Sequence, residues 1–177
     1  MFSALLTKLH RREDLTEAES ADAMVEIMEG RASATETAGL LIALSMKGER
    51  PVEIVGFART MREQAVSIKQ PFEDVFDTCG TGGDGLRTIN VSSLSALIVS
   101  ACGVRVAKHG NRSVSSSCGS ADLFEALGVN VSASPEVVGR CLDVLGLSFF
   151  FAPTFHPYMK NVALARKILG KRTAFNL

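Results

Sequence analysis

The chain has 177 residues, 46% of them apolar and 21% charged, and a formal net charge of zero. A chain of that length and balance buries enough surface to fold without a metal or disulfide staple, and its neutrality speaks against a general binder of nucleic acid or anionic membrane. The opening MFSALLTKLHRRED brings charges too soon for a secretory signal, and the apolar run at 39–45 is far short of the roughly 18 residues that span a bilayer, so the sequence reads as a cytoplasmic protein.

Before residue 70 the pattern predicts helix after helix. Leu5, Leu6 and Leu9 make a short apolar stripe. Thr16 with Glu19 is a capping box; Ala23, Met24, Ile27 and Met28 then share one face, and Gly30 ends the helix. Ser33 with Glu36 repeats the device before Leu40, Leu41, Leu44 and Met46, and Gly48 closes that helix. Pro51 suits the first turn of a fourth helix running towards Lys69. A compact helical domain is expected over 1–70.

From residue 71 the pattern alternates. EDVFD (73–77) predicts a strand that stops at a glycine cluster, residues 92–101 are apolar at helical spacing, and VRVA (104–107) predicts a second strand. ADLFEAL (121–127) reads as a helix and VNVS (129–132) as a strand; Ser134 caps and Pro135 opens a helix to about Leu145. LSFFFA (147–152) predicts a strand buried on both faces, with a last helix from roughly His156 to Leu169. Strands alternating with helices imply a mainly parallel sheet covered on both sides, hence an α/β domain over 71–177. RTAFNL (172–177) starts another element without a cap or turn, so the sheet begun at 73 is expected to be incomplete and the chain truncated.

DTCGTGGDG (77–85) is the most informative segment. Glycines let the backbone turn tightly and let consecutive N–H groups point at one ligand, and a helix start nearby adds its dipole; this is how a chain grips phosphate. GTGGDG also fits the dinucleotide pattern G-x-G-x-x-G, but that fold wants an acidic residue about 20 positions on. No acidic residue occurs between Gly85 and Ala121, which speaks against NAD. The same stretch carries Arg87, Arg105, Lys108 and Arg112, with hydroxyls and amides clustered at 88–93 and 113–117. Cations, hydroxyls and glycines together suit a polyanionic, sugar-like ligand; the plain alternative is a set of solvated loops. Cys79, Cys102, Cys118 and Cys141 form no C-x-x-C pair, no histidine stands at zinc-ligand spacing, and reduced, half-buried thiols are expected.

DTCGTGGDG, TINVSS (88–93), KHGNRSVSSSCGSAD (108–122), LGLSFFFAPTFHP (145–157) and ARKILGKRTAFNL (165–177), in that order and spacing, resemble the anthranilate phosphoribosyltransferase family over the whole chain. The resemblance implies a small helical domain followed by an α/β domain of the nucleoside phosphorylase / phosphoribosyltransferase type. It implies transfer of a phosphoribosyl group from 5-phosphoribosyl 1-pyrophosphate to anthranilate, with Mg2+, in a homodimer formed through the helical domain, and no nucleic-acid or membrane partner.

Residue by residue, the resemblance puts Gly80, Gly83 and Asp84 against the phosphoribosyl pyrophosphate, and Thr88, Asn90, Val91, Ser92 and Ser93 on its phosphates, with Ser92 as a magnesium ligand. Lys108, His109, Gly110, Asn111 and Arg112, continuing through Ser113, Val114, Ser115 and Ser116, would form a second wall, closed by Ser120. Lys108 and Asp84 would be catalytic; Gly80, Asn111 and Arg166 would meet anthranilate. His109 is expected to orient its loop or line the anthranilate pocket, His156 to be structural and His10 exposed. NVSS departs mildly from the family's N-[IV]-S-T, with Ser93 supplying the hydroxyl. The family's acidic magnesium pair and its Gly-Pro-Leu hinge fall beyond Leu177, so the chain alone is expected to bind metal–substrate poorly and turn over little. The alternatives are a pyrimidine nucleoside phosphorylase-like enzyme, a non-catalytic nucleic-acid-binding paralogue, or a folded, inert fragment.

Overall fold

The structure is a computed structural model describing residues 1–69, 72–80, 89–113, 118–171 and 173–176. Its elements are α1 (Phe2–His10), α2 (Glu17–Met28), α3 (Ala34–Lys47), α4 (Pro51–Glu63), α5 (Val91–Ala101), β1 (Val106–Gly110), α6 (Ser120–Ala126), α7 (Pro135–Leu145), β2 (Leu147–Phe151), α8 (Ala152–Phe155) and α9 (Lys160–Leu169), with single 3-10 turns at Pro157–Met159 and Ala174–Asn176. Contacts divide the chain into two units, Met1–Ala65 with Tyr158–Leu177, and Val66–Pro157.

The helical unit starts where its sequence says it should. Both capping boxes form: Thr16 Oγ1 accepts the Glu19 N–H at 3.1 Å and Ser33 Oγ that of Glu36 at 3.2 Å, while each glutamate turns back to its cap. Each box satisfies two amides that a helix start leaves bare. Gly48 ends α3 at a φ of 89°, a left-handed setting that costs glycine little. Apolar faces from α1 to α4, including Leu5, Leu9, Met24, Ile27, Leu40, Leu44 and Phe57, meet in one core. At Gly56 a Cβ would lie 2.8 Å from Ser20 Cβ, so the missing side chain lets α4 seat closely on α2. α4 stops at Glu63, short of the expected Lys69. The sequence assigns α9 to the α/β region by its place in the chain; its contacts lie with α2 and α3, where Val162 is fully buried and Asn161 Nδ2 donates to the Met28 carbonyl at 2.7 Å.

In the other unit β1 and β2 pair in parallel, Val106 opposite Leu147 through Gly110 opposite Phe151. A parallel pair needs a crossover, and α6 and α7 provide it. The strand expected at 73–77 is reduced to one parallel bridge, Phe76 to Val106, made by the Phe76 N–H on the Arg105 carbonyl and the Ala107 N–H on the Phe76 carbonyl, both 2.9 Å. The strand expected at 104–107 begins at Val106 and reaches Gly110. VNVS (129–132) is no strand. Asn130 Oδ1 accepts the Ser132 N–H at 3.2 Å and its carbonyl that of Ala133 at 3.3 Å, so a local turn takes the groups a ladder would use. Val131 packs instead with Ala121, Phe124 and Phe149 in a second core. The result is an α/β architecture: a helical unit and a partial parallel α/β unit.

Candidate phosphate-binding site

In open parallel sheets ligands bind outside the carboxyl ends of the strands, and β1 ends on Lys108, His109 and Gly110. Residues alternate across the strand; Val106, Lys108 and Gly110 are buried, whereas Ala107 and His109 are half-buried. Lys108 is only 1% exposed, and among the described residues its ammonium meets no carboxylate; Nζ donates to the His109 carbonyl. A buried cation without an acid is costly, and an anionic ligand would offset that cost. Gly110 lies so close to Ser120 Oγ and the Phe149 ring that a Cβ there would sit 2.9 Å from Phe149.

The segment after Phe76 is held by its own side chains. Asp77 Oδ1 accepts the N–H of Cys79 at 3.0 Å and of His109 at 3.3 Å, tying this segment to β1. Thr78 Oγ1 donates to the Ser92 carbonyl at 2.7 Å, tying it to the first turn of α5. Gly80 is exposed, and among the described residues nothing lies within 4 Å of where its Cβ would be. Asn90 stands at the N-cap of α5, yet its side chain bridges away, Nδ2 donating to the Gly119 carbonyl at 3.2 Å and approaching Cys118 Sγ at 3.6 Å. Val91 is exposed and Ser92 half-buried, while Ser93 is fully buried with Oγ lacking a partner among the described residues.

The segment after β1 folds back on α6. The Asn111 carbonyl accepts the Ala121 N–H at 3.2 Å and Ser120 Oγ at 3.4 Å. Asp122 Oδ2 gathers the amides of Ser113 at 3.0 Å and Gly119 at 2.8 Å, and those two bonds hold its carboxyl below the usual range. Arg112 is drawn to the acids beyond the acid-free stretch: it grips Glu125 through two nitrogens at 2.6 and 2.9 Å and reaches Asp122 at 3.3 Å. Its guanidinium is therefore committed, and the phosphate wall has from it a backbone amide. Arg105 stacks over the Phe72 ring at 4.8 Å.

Two imidazoles complete this end of the sheet. His109 and His156 meet edge to face, centroids 6.1 Å apart, with His109 Nε2 and His156 Nδ1 buried and unpartnered among the described residues. Burial lowers both; at His109 Asp77 opposes and Lys108 reinforces, and at His156 the neighbouring His109 reinforces. Both rings are neutral at pH 7. Arg166 belongs to the helical unit, half-buried over the Phe175 ring at 5.7 Å, where burial lowers its guanidinium. Gly83, Asp84, Thr88, Val114, Ser115 and Ser116 lie outside the described residues.

Residues 3–65 match the glycosyl transferase family, helical bundle domain, and residues 72–177 the glycosyl transferase family, a/b domain. The chain belongs to this glycosyl transferase family. Over all 177 residues it is 51% identical to anthranilate phosphoribosyltransferase of Moorella thermoacetica, covering 52% of that protein. It is 51% identical over 174 residues, 98% of the chain, to that of Methanopyrus kandleri, covering 51% of it. Among solved structures it superposes on anthranilate phosphoribosyltransferase from Thermus thermophilus with a TM-score of 0.91 at 49% identity, over 97% of this chain and 52% of that one. The Saccharomyces cerevisiae enzyme in complex with PRPP and Mg gives 0.89 at 27% identity, over 99% and 53%. The chain spans about half the length of the curated relatives it matches.

In this member of the glycosyl transferase family the described site residues of the α/β unit gather near the end of β1, but the residues that hold them there were not foreseen. Asp77 and Asp122 each gather two main-chain amides. For Asp77 the available signal was an aspartate just ahead of a Cys-Gly turn, and for Asp122 an acid three residues after Gly119, the capping position of a helix start. Two thiols also differ from expectation: Cys79 and Cys102 are exposed, while Cys118 and Cys141 are half-buried.

Proposed function

We propose that the protein to which this chain belongs transfers the phosphoribosyl group of 5-phosphoribosyl 1-pyrophosphate to anthranilate and releases pyrophosphate. The observation that carries this reading is the buried Lys108, which meets no carboxylate among the described residues, at the end of a strand that Asp77 ties to the glycine segment. The names of the relatives, similar over the whole chain, support it.

The anthranilate amine attacks the anomeric carbon as the bond to the diphosphate oxygen breaks, and the bonding pair leaves with pyrophosphate. The amine sheds its extra proton to solvent, since an aromatic amine is neutral at pH 7 and needs no strong base. The protein's task is to meet the charge growing on the leaving group with groups already in place. Lys108 supplies a fixed cation, and Gly80 and the first turn of α5 supply amides, with Ser92 and Ser93 hydroxyls beside them. The resemblance also assigns Gly83, Asp84, Thr88, residues 113–116 and Ser120 to the sugar diphosphate, and Asn111 and Arg166 to anthranilate. Magnesium prefers oxygen donors and keeps several from phosphate and water. Ser92, with the Ser93 hydroxyl that lacks a partner among the described residues, would hold such an ion, which would neutralise phosphate charge.

The domain division at residue 70, a homodimer through the helical unit and a cytoplasmic setting belong to the same proposal. Among the described residues no helix is long and apolar enough to cross a membrane. The test is loss of anthranilate fluorescence with the complete gene product. Decay that requires both the sugar diphosphate and magnesium is expected; phosphorolysis of thymidine without such decay would assign a nucleoside phosphorylase instead.

A further inference from the structure

We infer that Asp77, Cys79 and His109 form a binding site for a thiophilic divalent cation, zinc in particular, distinct from the magnesium that accompanies a diphosphate. One carboxylate oxygen, the Cys79 sulfur and a His109 ring nitrogen all lie within 4.8 Å of one another. Zinc bonds sulfur at about 2.3 Å and nitrogen at about 2.0 Å, which puts tetrahedral S and N ligands about 3.5 Å apart. Cys79 Sγ and His109 Nδ1 are 3.7 Å apart. Two of the three donors thus already stand at ligand spacing, although they are remote in sequence and form no zinc motif.

The surroundings orient two of the three donors. Asp77 Oδ1 is fixed by two amides, which steadies the carboxylate and leaves Oδ2 for an ion. The His109 ring is neutral through burial, and with its proton on Nε2 the Nδ1 lone pair faces the sulfur. The Cys79 residue is exposed, yet desolvation raises its thiol; Lys108 opposes that rise and Asp77 adds to it. Binding replaces the thiol proton, which passes to solvent, so thiolate and carboxylate balance the two charges of the cation. A sulfur, nitrogen and oxygen donor set selects zinc or cobalt over magnesium, which wants oxygen alone. Three protein donors leave a fourth position for water or for an anion's oxygen. The site stands on these three side chains, whatever the glycine loop binds.

Cobalt(II) titration of the chain tests it, with no phosphate ligand present. A thiolate-to-cobalt charge-transfer band should grow to one ion per chain, vanish on adding zinc and survive excess magnesium. Cys79→Ser should abolish the band with the far-ultraviolet circular dichroism unchanged. Asp77→Asn and His109→Gln should each weaken cobalt binding by about tenfold or more, since even outer-shell partners of a metal are worth that much. Zinc should also slow alkylation of Cys79 but not of Cys102, which is exposed as well. No band in the unaltered chain, a full band in Cys79→Ser, undiminished affinity in His109→Gln, or equal alkylation of both thiols would overturn the assignment.

Discussion

Lys108 of β1 lies in register with Phe149 of β2, a buried cation opposite a buried ring, with no carboxylate near its ammonium among the described residues. Such a position is unfavourable for folding and useful for anion binding. Lys108→Met keeps the stem and removes the charge. It should stabilise the folded chain in urea by on the order of 1 kcal/mol, as replacing buried charge by apolar groups does elsewhere. In the complete enzyme it should weaken diphosphate binding by about tenfold to a hundredfold. A destabilised variant that binds normally would show Lys108 to be structural.

Two glycines should part company. A Cβ at Gly110 would press on Ser120 and on Phe149 at 2.9 Å, so Gly110→Ala should cost about 1–3 kcal/mol. At Gly80 a Cβ meets nothing within 4 Å among the described residues, so Gly80→Ala should leave stability within about 0.5 kcal/mol while obstructing a ligand that approaches the backbone. Thermal unfolding together with ligand titration separates the two effects.

His109 and His156 set an acid limit. Burial lowers both from an ordinary value of 6.5. Below pH 6.5 the unfolded chain therefore takes up protons that the folded chain refuses, and stability rises with pH there. Their contribution is complete above pH 6.5 and is lost as pH falls through that value towards the lowered folded values. Urea midpoints between pH 7 and pH 5 should fall, and His156→Gln should flatten the slope. An unchanged slope would remove His156 from this effect.

Glu53 locks the helical unit. Its side chain is fully buried, taking the Leu15 N–H at 2.8 Å on one oxygen and the Arg50 N–H at 2.7 Å and Lys47 Nζ at 3.1 Å on the other. Burial alone would lower the Lys47 ammonium, but Asp14 and Glu53 outweigh it and raise it. Glu53→Ala leaves two amides bare and the lysine half-paired, and should cost about 3–5 kcal/mol. The urea midpoint should drop with an unchanged slope.

Local signals carried the helices well. Thr16, Ser33, Pro51 and Pro135 act within one turn of themselves, and each starts its helix where the sequence placed it. Strands were read less well because pairing is non-local. Phe76 reaches only one bridge, and the alternation of VNVS lost to the turn made by Asn130. At the site, the type and spacing of Lys108, Asn90 and Ser92 could be read in the chain. The burial of Lys108 and the meeting of Cys79 with His109 depend on β1 lying beside the segment of Phe76, which no spacing rule contains.

Isothermal titration of the complete gene product with 5-phosphoribosyl 1-pyrophosphate and magnesium, repeated with Lys108→Met, tests the phosphate cradle most directly. The expected result is saturable heat from the unaltered protein and binding weaker by about tenfold or more from the folded variant. Equal affinity in the two proteins, or no heat from either, would contradict the cradle built on Lys108.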